Sequence, residues 1–578
     1  LLALCVGAGK TWTMQAAAME MKRLGLISKP MFTVPNHMVE QFTNEFRQIY
    51  PNAKLLVLTA ENLPEIGGGT SKNPAVVKLN KAKRKSTLAK IATEDWDGII
   101  ISHELFKRIP MSAKAYEEYY QQQADEIEQA LSESADSDEN YRTTKELEKK
   151  LASAKDKMKK AMNEVGKDLD TPFDKLGIDQ IFVDEADLFK NLAFTTNMGR
   201  VAGISNSNSQ RSQDMYIKTQ YLLNTHNGRG VVFATGTPIS NSIAEMFTML
   251  RYLNPQALKN AGVSFFDNFI STFSQKESTV EPKPDGNGYR IVQKFTNFYN
   301  ASGMKRMFRE VADVKTQAEI NVKIPKLKNG ERTVTELDIT APLKQYITTT
   351  IKERADSIRN NEVDPSEDNM LKLTSDLRKA SLDLRLIDGY QSLPTEIAAP
   401  KILAVADNAY NKYVESNDVK GTQLIFCDLS TPKGKSDNEL AEGAEEEVLT
   451  ESEQAANNSV YTNIAKELIR KGIPKNEIAY IHDAKTNEQK EELFAKVRSG
   501  EIRILIGSTS KMGAGTNCQR LIVAEHHVDC PWRPRDIEQR EGRALRQGNL
   551  NDEVEIFTYV TKDSFDTNMW EKVKTKSQ

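Results

Sequence analysis

Cysteine is scarce. The 578 residues hold four, Cys5, Cys427, Cys518 and Cys530, and no two form a CxxC pair. That excludes a disulfide framework and a zinc ribbon, and it fits a reducing compartment. Cys518, His526, His527 and Cys530 cluster in sequence but match no zinc-ligand spacing. An excess of one charge is lacking too. Lys and Arg number 78 against 81 Asp and Glu, for a net charge of −3, so a surface for nucleic acid would have to be a local stripe. No stretch approaches the roughly 18 apolar residues of a membrane span. No signal peptide is expected, and no internal repeat is visible. No Met opens the chain; Leu1-Leu2-Ala3-Leu4 runs straight into a glycine-rich turn, and we expect a fragment cut just upstream of its first motif.

The length suffices for three or four units of ordinary domain size. Short apolar runs at 1–6, 31–35, 54–59, 98–102, 180–183 and 230–234 alternate with helical patterns, including 10–24 and 37–48. Continuous apolar runs between helices predict a parallel sheet covered on both faces. A second alternating region begins near Pro400, with strands at 422–427, 478–481, 502–507, 520–524 and 554–559. Residues 1–242 are therefore expected to form a first lobe and 396–560 a second. Residues 243–395 are expected to be mostly helical, and 561–578 a tail. Within the first lobe, 113–175 breaks the pattern. Leu147, Leu151, Ala154, Met158, Ala161 and Val165 recur at steps of four and three, and Tyr120, Ala124, Ile127 and Leu131 form a weaker arm before the turn from Ser132 to Asn140. This reads as an inserted helical hairpin, either a solvated spacer or an arm for DNA or a partner. Residues 432–458 are acidic and poor in apolar side chains, the composition of a mobile loop.

Three groups of residues carry chemistry. Gly7-Ala8-Gly9-Lys10-Thr11 lies between a strand and a helix. Glycines let backbone N–H groups face phosphate oxygens at a helix N-terminus, Lys10 would reach the β- and γ-phosphates of ATP, and the Thr11 hydroxyl would ligate Mg²⁺. The loop is the abbreviated GxGKT form, with Leu4 where the longer pattern has its first Gly. Asp184 and Glu185 follow the apolar Ile181-Phe182-Val183. Asp184 would hold Mg²⁺, and Glu185 would orient the attacking water. Late in the chain, Gln539, Arg543 and Arg546 flank a glycine. The two arginines, three apart, are expected to share a helix face and hold phosphate charge bidentately. Two small-residue turns also follow strands: Thr235 to Ser242, and Gly507 to Asn517, which holds Ser508, Thr509 and Lys511.

Taken in order, these residues resemble helicase superfamily two, and within it the Swi/Snf-type DNA translocases. Thr33-Val34-Pro35 resembles motif Ia and Ile101-Ser102-His103-Glu104-Leu105 motif Ib. Asp184 to Asp187, followed by Lys190-Asn191, resembles motif II, with Asp187 where the family has His. Thr235 to Asn241 resembles motif III, Leu424-Ile425-Phe426-Cys427 motif IV, and Gln539 with Arg543 and Arg546 motif VI, preceded by a stretch containing Trp532. More narrowly, the loop at Gly7 and the Pro35-Asn36-His37 segment are similar to the helicase part of methyltransferase–helicase proteins of phages and mobile elements. No Asn/Asp-Pro-Pro-Tyr motif is present, so the methyltransferase activity is not expected here. The family's acidic residue before the phosphate loop falls at Cys5, and its upstream adenine-recognising segment is absent from this sequence.

The resemblance implies an α/β fold of two RecA-like parallel-sheet lobes, of the P-loop NTPase type, with helical insertions. It implies ATP and Mg²⁺ bound by Gly7, Ala8, Gly9, Lys10, Thr11 and Asp184, and catalysis by Lys10, Glu185, Gln539, Arg543 and Arg546, the arginines reaching across an interlobe cleft. Double-stranded DNA would be the partner, held largely without regard to sequence by Pro35, Ser102, Thr237, Ser508, Thr509, Lys511 and Trp532. The implied setting is the cytoplasm of a bacterial or phage-infected cell. Two alternatives stay open: a strand-separating DNA or RNA helicase, and an ATP-gated DNA-binding module with little turnover.

Overall fold

The computed structural model describes residues 1–578 except 6, 65–73, 135–144, 146–147, 150, 157–158, 160–170, 197, 199–200, 202–208, 240–241, 283–288, 317–318, 321–322, 361, 430–459, 513–516 and 578. The chain divides into two compact units. Unit one is Leu1–Thr279 with Ile291–Ile320, and unit two is Val280–Arg290 with Asn321–Gln578.

In chain order the first strands are β1 (Leu2–Leu4), β2 (Pro30–Val34), β3 (Leu55–Leu58), β4 (Gly98–Ser102), β5 (Gln180–Val183) and β6 (Val231–Thr235). A two-stranded ribbon follows, β7 (Gln275–Pro282) with β8 (Tyr289–Thr296), and then β9 (Asp313–Lys315). The sheet of unit one runs β3-β4-β2-β5-β6-β1-β9, and every pair is parallel. Its central strands β2, β4 and β5 are buried along their whole length. The reason is that both faces are covered. Ile100 and Phe182 pack with Met14, Ala18, Phe42 and Phe46 of the helices Lys10–Arg23 and Val39–Ile49. Ile99, Ile101, Ile181 and Val183 pack on the other side with Leu88, Ile91, Met215 and Leu222. Neighbouring residues thus point to opposite, equally dry faces, which is why these strands read as unbroken apolar runs. Phe32 stacks on Phe182 with centroids 5.0 Å apart.

The insertion in unit one begins with the helix Ala113–Ser134. Ile127 and Leu131 meet Leu151 and Ala154, and Lys155 pairs with Glu128 at 2.6 Å, so the described parts of the two arms do pack together. Leu147, Met158, Ala161 and Val165, and the turn after Ser134, lie outside the described residues, as does the acidic stretch 432–458.

Unit two has its own parallel sheet. Its strands are β10 (Lys326–Leu327), β11 (Thr333–Leu337), β12 (Thr422–Phe426), β13 (Ile478–Tyr480), β14 (Ile504–Gly507), β15 (Ile522–His527) and β16 (Glu553–Thr561). The order is β10-β16-β15-β12-β14-β13, with β11 also on β16. Two expectations differ from this. Residues 243–395 are not simply helical: β7 to β11 lie within them, and the sheet of unit two starts at Lys326 rather than near Pro400. These strands have half-exposed or exposed residues and mixed polar sequence, so they lack the dry-run signature of the central strands. Residues 561–578 are not a tail: the helix Phe565–Ser577 puts Phe565, Met569 and Val573 into a core with Leu373 and Leu377.

Candidate nucleotide and nucleic-acid site

Unit one collects three motifs at one sheet edge. β5, β6 and β1 are adjacent and parallel, so the segments leaving their C-terminal ends are neighbours although about 230 residues separate the first from the last. Such an edge is where open α/β sheets bind ligands. After β1 the backbone turns through Gly7 (φ 85°) and Gly9 (φ 79°), both left-handed. At Gly9 an added Cβ would meet nothing within 4 Å, so the demand for glycine there is conformational rather than spatial. Gly9 then caps the helix Lys10–Arg23 with no side-chain bond to its first N–H groups. Lys10 Nζ donates back to Leu4 O at 3.3 Å, which folds its ammonium over the loop, and Thr11 sits on the first turn.

Asp184, at the end of β5, is 4% exposed, and its N–H donates to Thr33 O at 2.9 Å. Burial, reinforced by the neighbouring Glu185 carboxylate, pushes its carboxyl up to about 7, while the nearby Lys10 opposes the rise. Glu185 takes the left-handed conformation (φ 48°), and its N–H donates to Asp184 Oδ1 at 3.0 Å. A non-glycine residue in this region is uncommon and marks a segment whose geometry is held by its surroundings. The residues fit a nucleotide with a divalent cation. Thr11 and Asp184 supply hard oxygen donors of the kind Mg²⁺ takes, and a buried carboxylate destabilised by its neighbour is what a cation relieves.

Motif III closes onto this group through a residue that departs from the family pattern. Thr235 Oγ1, at the end of β6, donates to Asp187 Oδ1 at 3.0 Å and accepts from Thr237 N at 3.1 Å. Asp187 is 1% exposed. Lys190 pairs with Glu245 at 2.9 Å, tying the Lys-Asn end of motif II to the helix after motif III.

Unit two has a comparable convergence. β15, β12 and β14 are adjacent, and Asp529, Asp428 and Thr509 follow their C-terminal ends. Arg540, fully buried on the helix Pro534–Glu541, holds all three. Its Nε donates to Thr509 Oγ1 at 2.7 Å, Nη1 to Asp529 O at 2.9 Å, and Nη2 to Asp428 Oδ2 at 2.8 Å and Asp529 Oδ1 at 3.0 Å. Thr509 also donates to Asp428 through its N–H and its hydroxyl, at 2.6 and 2.8 Å. Gly507 fits here because a Cβ would lie 2.4 Å from Ile481 Cγ2 and 2.7 Å from Met512 Sδ. Sequence reasoning passed over Arg540, Asp428 and Asp529 as site residues. Their signal was an acid two residues after each of two strands, with an arginine on the helix that follows the second.

The arginine pair needs a correction. The helix ends at Glu541, so Arg543 and Arg546 do not share a helix face. Gly542, a weak helix former, caps it, and the chain continues in tighter turns, with Arg543 N donating to Arg540 O at 2.9 Å. Arg543 is 7% exposed and Arg546 half-buried. The Gln539 amide faces Arg535, its oxygen within 3.0 Å of Nη2.

The residues expected at DNA differ in availability. Ser102 is 5% exposed, and its hydroxyl accepts from Leu105 N at 3.3 Å as a helix cap. Pro35 is buried and caps the turn Asn36–Met38. Ser508 and Thr509 are buried, Thr237 half-buried and Lys511 exposed. Trp532 is 45% exposed, with the Arg378 guanidinium 4.8 Å from its ring centre. Ser240 and Asn241 of motif III, and Gly513 to Thr516, lie outside the described residues. Among the described residues no group of three or more His, Cys, Asp and Glu side chains fit for a metal ion occurs. His526 bonds Tyr559 and Gln423. No described helix is long and apolar enough to cross a membrane.

Comparison with known proteins adds family evidence. A model described as "Probable helicase domain" matches residues 2–316, and one described as "Helicase conserved C-terminal domain" matches 442–548. The chain is 21% identical to Defense against restriction protein B of Escherichia phage P1 over 518 aligned positions, taking in 70% of this chain and 22% of that protein. It is 22% identical to Chromodomain-helicase-DNA-binding protein 9 of Mus musculus over 352 positions, 60% of this chain and 10% of that one. The chain therefore spans about a fifth of the phage relative's length and a tenth of the mouse one's. Among solved structures, the Sulfolobus solfataricus SWI2/SNF2 ATPase core in complex with dsDNA aligns over 99% of this chain and 86% of its own, at 13% identity and a TM-score of 0.29.

Proposed function

Because the chain belongs to the probable helicase domain family, whose match takes in more than half of it, we propose that this ATP-hydrolysing, helicase-type enzyme is a motor that translocates on double-stranded DNA. The observation that carries the reading is the single sheet edge of unit one, where Lys10, Asp184 with Glu185, and the Thr235–Asp187 pair leave three adjacent strands.

In this reading the loop from Gly7 to Gly9 turns N–H groups toward phosphate oxygens, and the helix behind it favours their charge. Lys10 neutralises the β- and γ-phosphates. Mg²⁺ held by Thr11 and Asp184 would supply further neutralisation of the phosphate oxygens. Glu185 orients a water for attack on the γ-phosphorus. Its left-handed backbone and the bond from its N–H to Asp184 fix the direction in which its side chain leaves the main chain. Phosphoryl transfer asks mainly for positioning and charge stabilisation, and this set supplies both. Arg543 and Arg546 have the role of stabilising charge that develops on the transferred group. The Thr235–Asp187 bond links the acidic segment to Thr237, so a change at the nucleotide is passed to a segment proposed to touch DNA.

Double-stranded DNA is the proposed track. The name of the mouse relative, a helicase-DNA-binding protein, and the Swi/Snf-type motif order support DNA as the partner, and contacts to phosphate would make binding salt-sensitive and largely independent of sequence. We also read the chain as part of a longer mobile-element or phage protein, consistent with the length of its relatives. The test is ATP hydrolysis with and without blunt duplex DNA, beside Glu185→Gln. Duplex should raise the rate in the parent and leave Glu185→Gln inactive. Stimulation by single-stranded RNA alone, or release of a strand from blunt duplex, would overturn the translocase reading.

A further inference from the structure

The helix Pro74–Thr93 fills the connection between β3 and β4 at the open edge of the unit-one sheet. It has 20 residues and no acidic one, in a protein whose net charge is −3. Lys78, Lys81 and Lys85 recur at steps of three and four along one stripe, and Lys83 and Lys90, seven apart, along a second. All five lysines are exposed, and the helix's own inward face shows why the charge is outside: Leu88 and Ile91 are buried in the core. The one arginine that turns inward, Arg84, is 4% exposed and donates to the backbone carbonyls of Pro64 and Arg108.

Three of the acids that follow the helix in sequence are engaged elsewhere. Glu94 pairs with Lys54 at 3.2 Å, Asp97 with Lys22 at 3.0 Å, and Glu104 with Lys107 at 3.8 Å. Among the described residues, no ion pair reaches Lys78, Lys81, Lys83, Lys85 or Lys90. A charged face on a soluble helix ordinarily alternates signs, because like charges three and four apart repel by a few tenths of a kcal/mol per pair. Here the repulsion is retained with no acid interleaved. In sequence the helix leads into β4, whose end carries Ser102 and the motif Ib segment.

We propose that this lysine face is a second contact with duplex DNA, holding the phosphate backbone beside the track that the motifs define. The inference rests on the DNA-motor reading. The stripe from Lys78 to Lys85 extends about 10 Å along the helix, enough for a few successive phosphates of one strand. Lysine serves such a contact as a point charge, with no base specificity.

The experiment measures duplex affinity against salt for the parent, for Lys78→Gln/Lys81→Gln/Lys85→Gln, and for the Arg triple at the same positions. Each neutralised phosphate contributes about 0.9 to the slope of log affinity against log salt. The Gln triple should lower that slope by roughly 2 to 3 and weaken binding at least tenfold at low salt, whereas the Arg triple should keep both. An unchanged slope in the Gln triple, with the parent binding normally, would overturn the second contact and leave the motor reading intact. Loss in both triples would also overturn it, because charge would then not be what matters. A parent that binds no duplex would instead remove the reading on which the proposal rests. An acidic protein held by this face in place of DNA would leave the duplex slope untouched.

Discussion

The guanidinium of Arg540 and the carboxylate of Asp428 meet at 2.8 Å inside unit two, although 112 residues separate them in sequence. Arg540 is fully buried and its remaining bonds go to Thr509 and Asp529, so one side chain fixes the ends of three strands. Removing one partner of a buried, hydrogen-bonded charge pair costs about 3–5 kcal/mol. Arg540→Ala should therefore lower the stability of unit two by about that amount. Arg540→Lys should recover little, because an ammonium cannot span the same acceptors as the planar fork. Chemical denaturation of both variants checks this, and full recovery by Lys would show that charge alone holds the site.

The bond from Thr235 to Asp187 gives a second expectation. Thr235→Val keeps the shape but takes a donor from a carboxylate that is 1% exposed, and an acceptor from Thr237 N. The loss should be about 1–3 kcal/mol, and Thr235→Ser should restore most of it. Thermal unfolding of the two variants separates the hydroxyl from the methyl group.

A pH dependence follows from His103. Burial, with Arg211 adding to it, lowers its imidazole from the ordinary 6.5 to about 4, and its Nε2 lies 3.3 Å from Thr33 O. The folded chain keeps His103 neutral, and the unfolded chain takes up the proton first as pH falls. The contribution of the neutral ring to stability is complete above pH 6.5 and is lost as pH falls from there through about 4. A shift from 6.5 to about 4 corresponds to about 3 kcal/mol. Stability of His103→Gln measured across this window should fall less steeply with acid than that of the parent. Equal slopes would show that other groups govern the acid limb.

The arginines and the phosphate-loop lysine should separate binding from turnover. Replacing Arg543 or Arg546 by Ala should lower kcat by about 10³-fold, the scale on which an arginine finger acts, and change ATP affinity much less. Lys10→Ala should weaken both. Equilibrium binding of a fluorescent ATP analogue, beside steady-state hydrolysis, distinguishes the two patterns. An Arg543 variant that lost nucleotide binding as fully as Lys10→Ala would assign it to ground-state binding.

The sequence by itself determined the central strands and the nucleotide-side motifs. β2, β4, β5, β12 and β14 are buried on both faces, and a strand with two dry faces must be written as an apolar run. The glycines at Gly7 and Gly9 and the acids at Asp184 and Glu185 were legible for a similar reason: left-handed backbone, and the cation and water roles proposed for the two carboxylates, each admit few residue types. What only the tertiary structure decided is what depends on residues far apart. The edge strands β9, β10 and β11 are short and partly exposed, and they exist because an adjacent strand offers them hydrogen bonds rather than because their own side chains are apolar. The Arg540 network and the Thr235–Asp187 bond depend on which strands are neighbours, a property of sheet order that no local spacing encodes. The turn after Glu541 likewise ended a helix that the spacing of Arg543 and Arg546 alone would have continued.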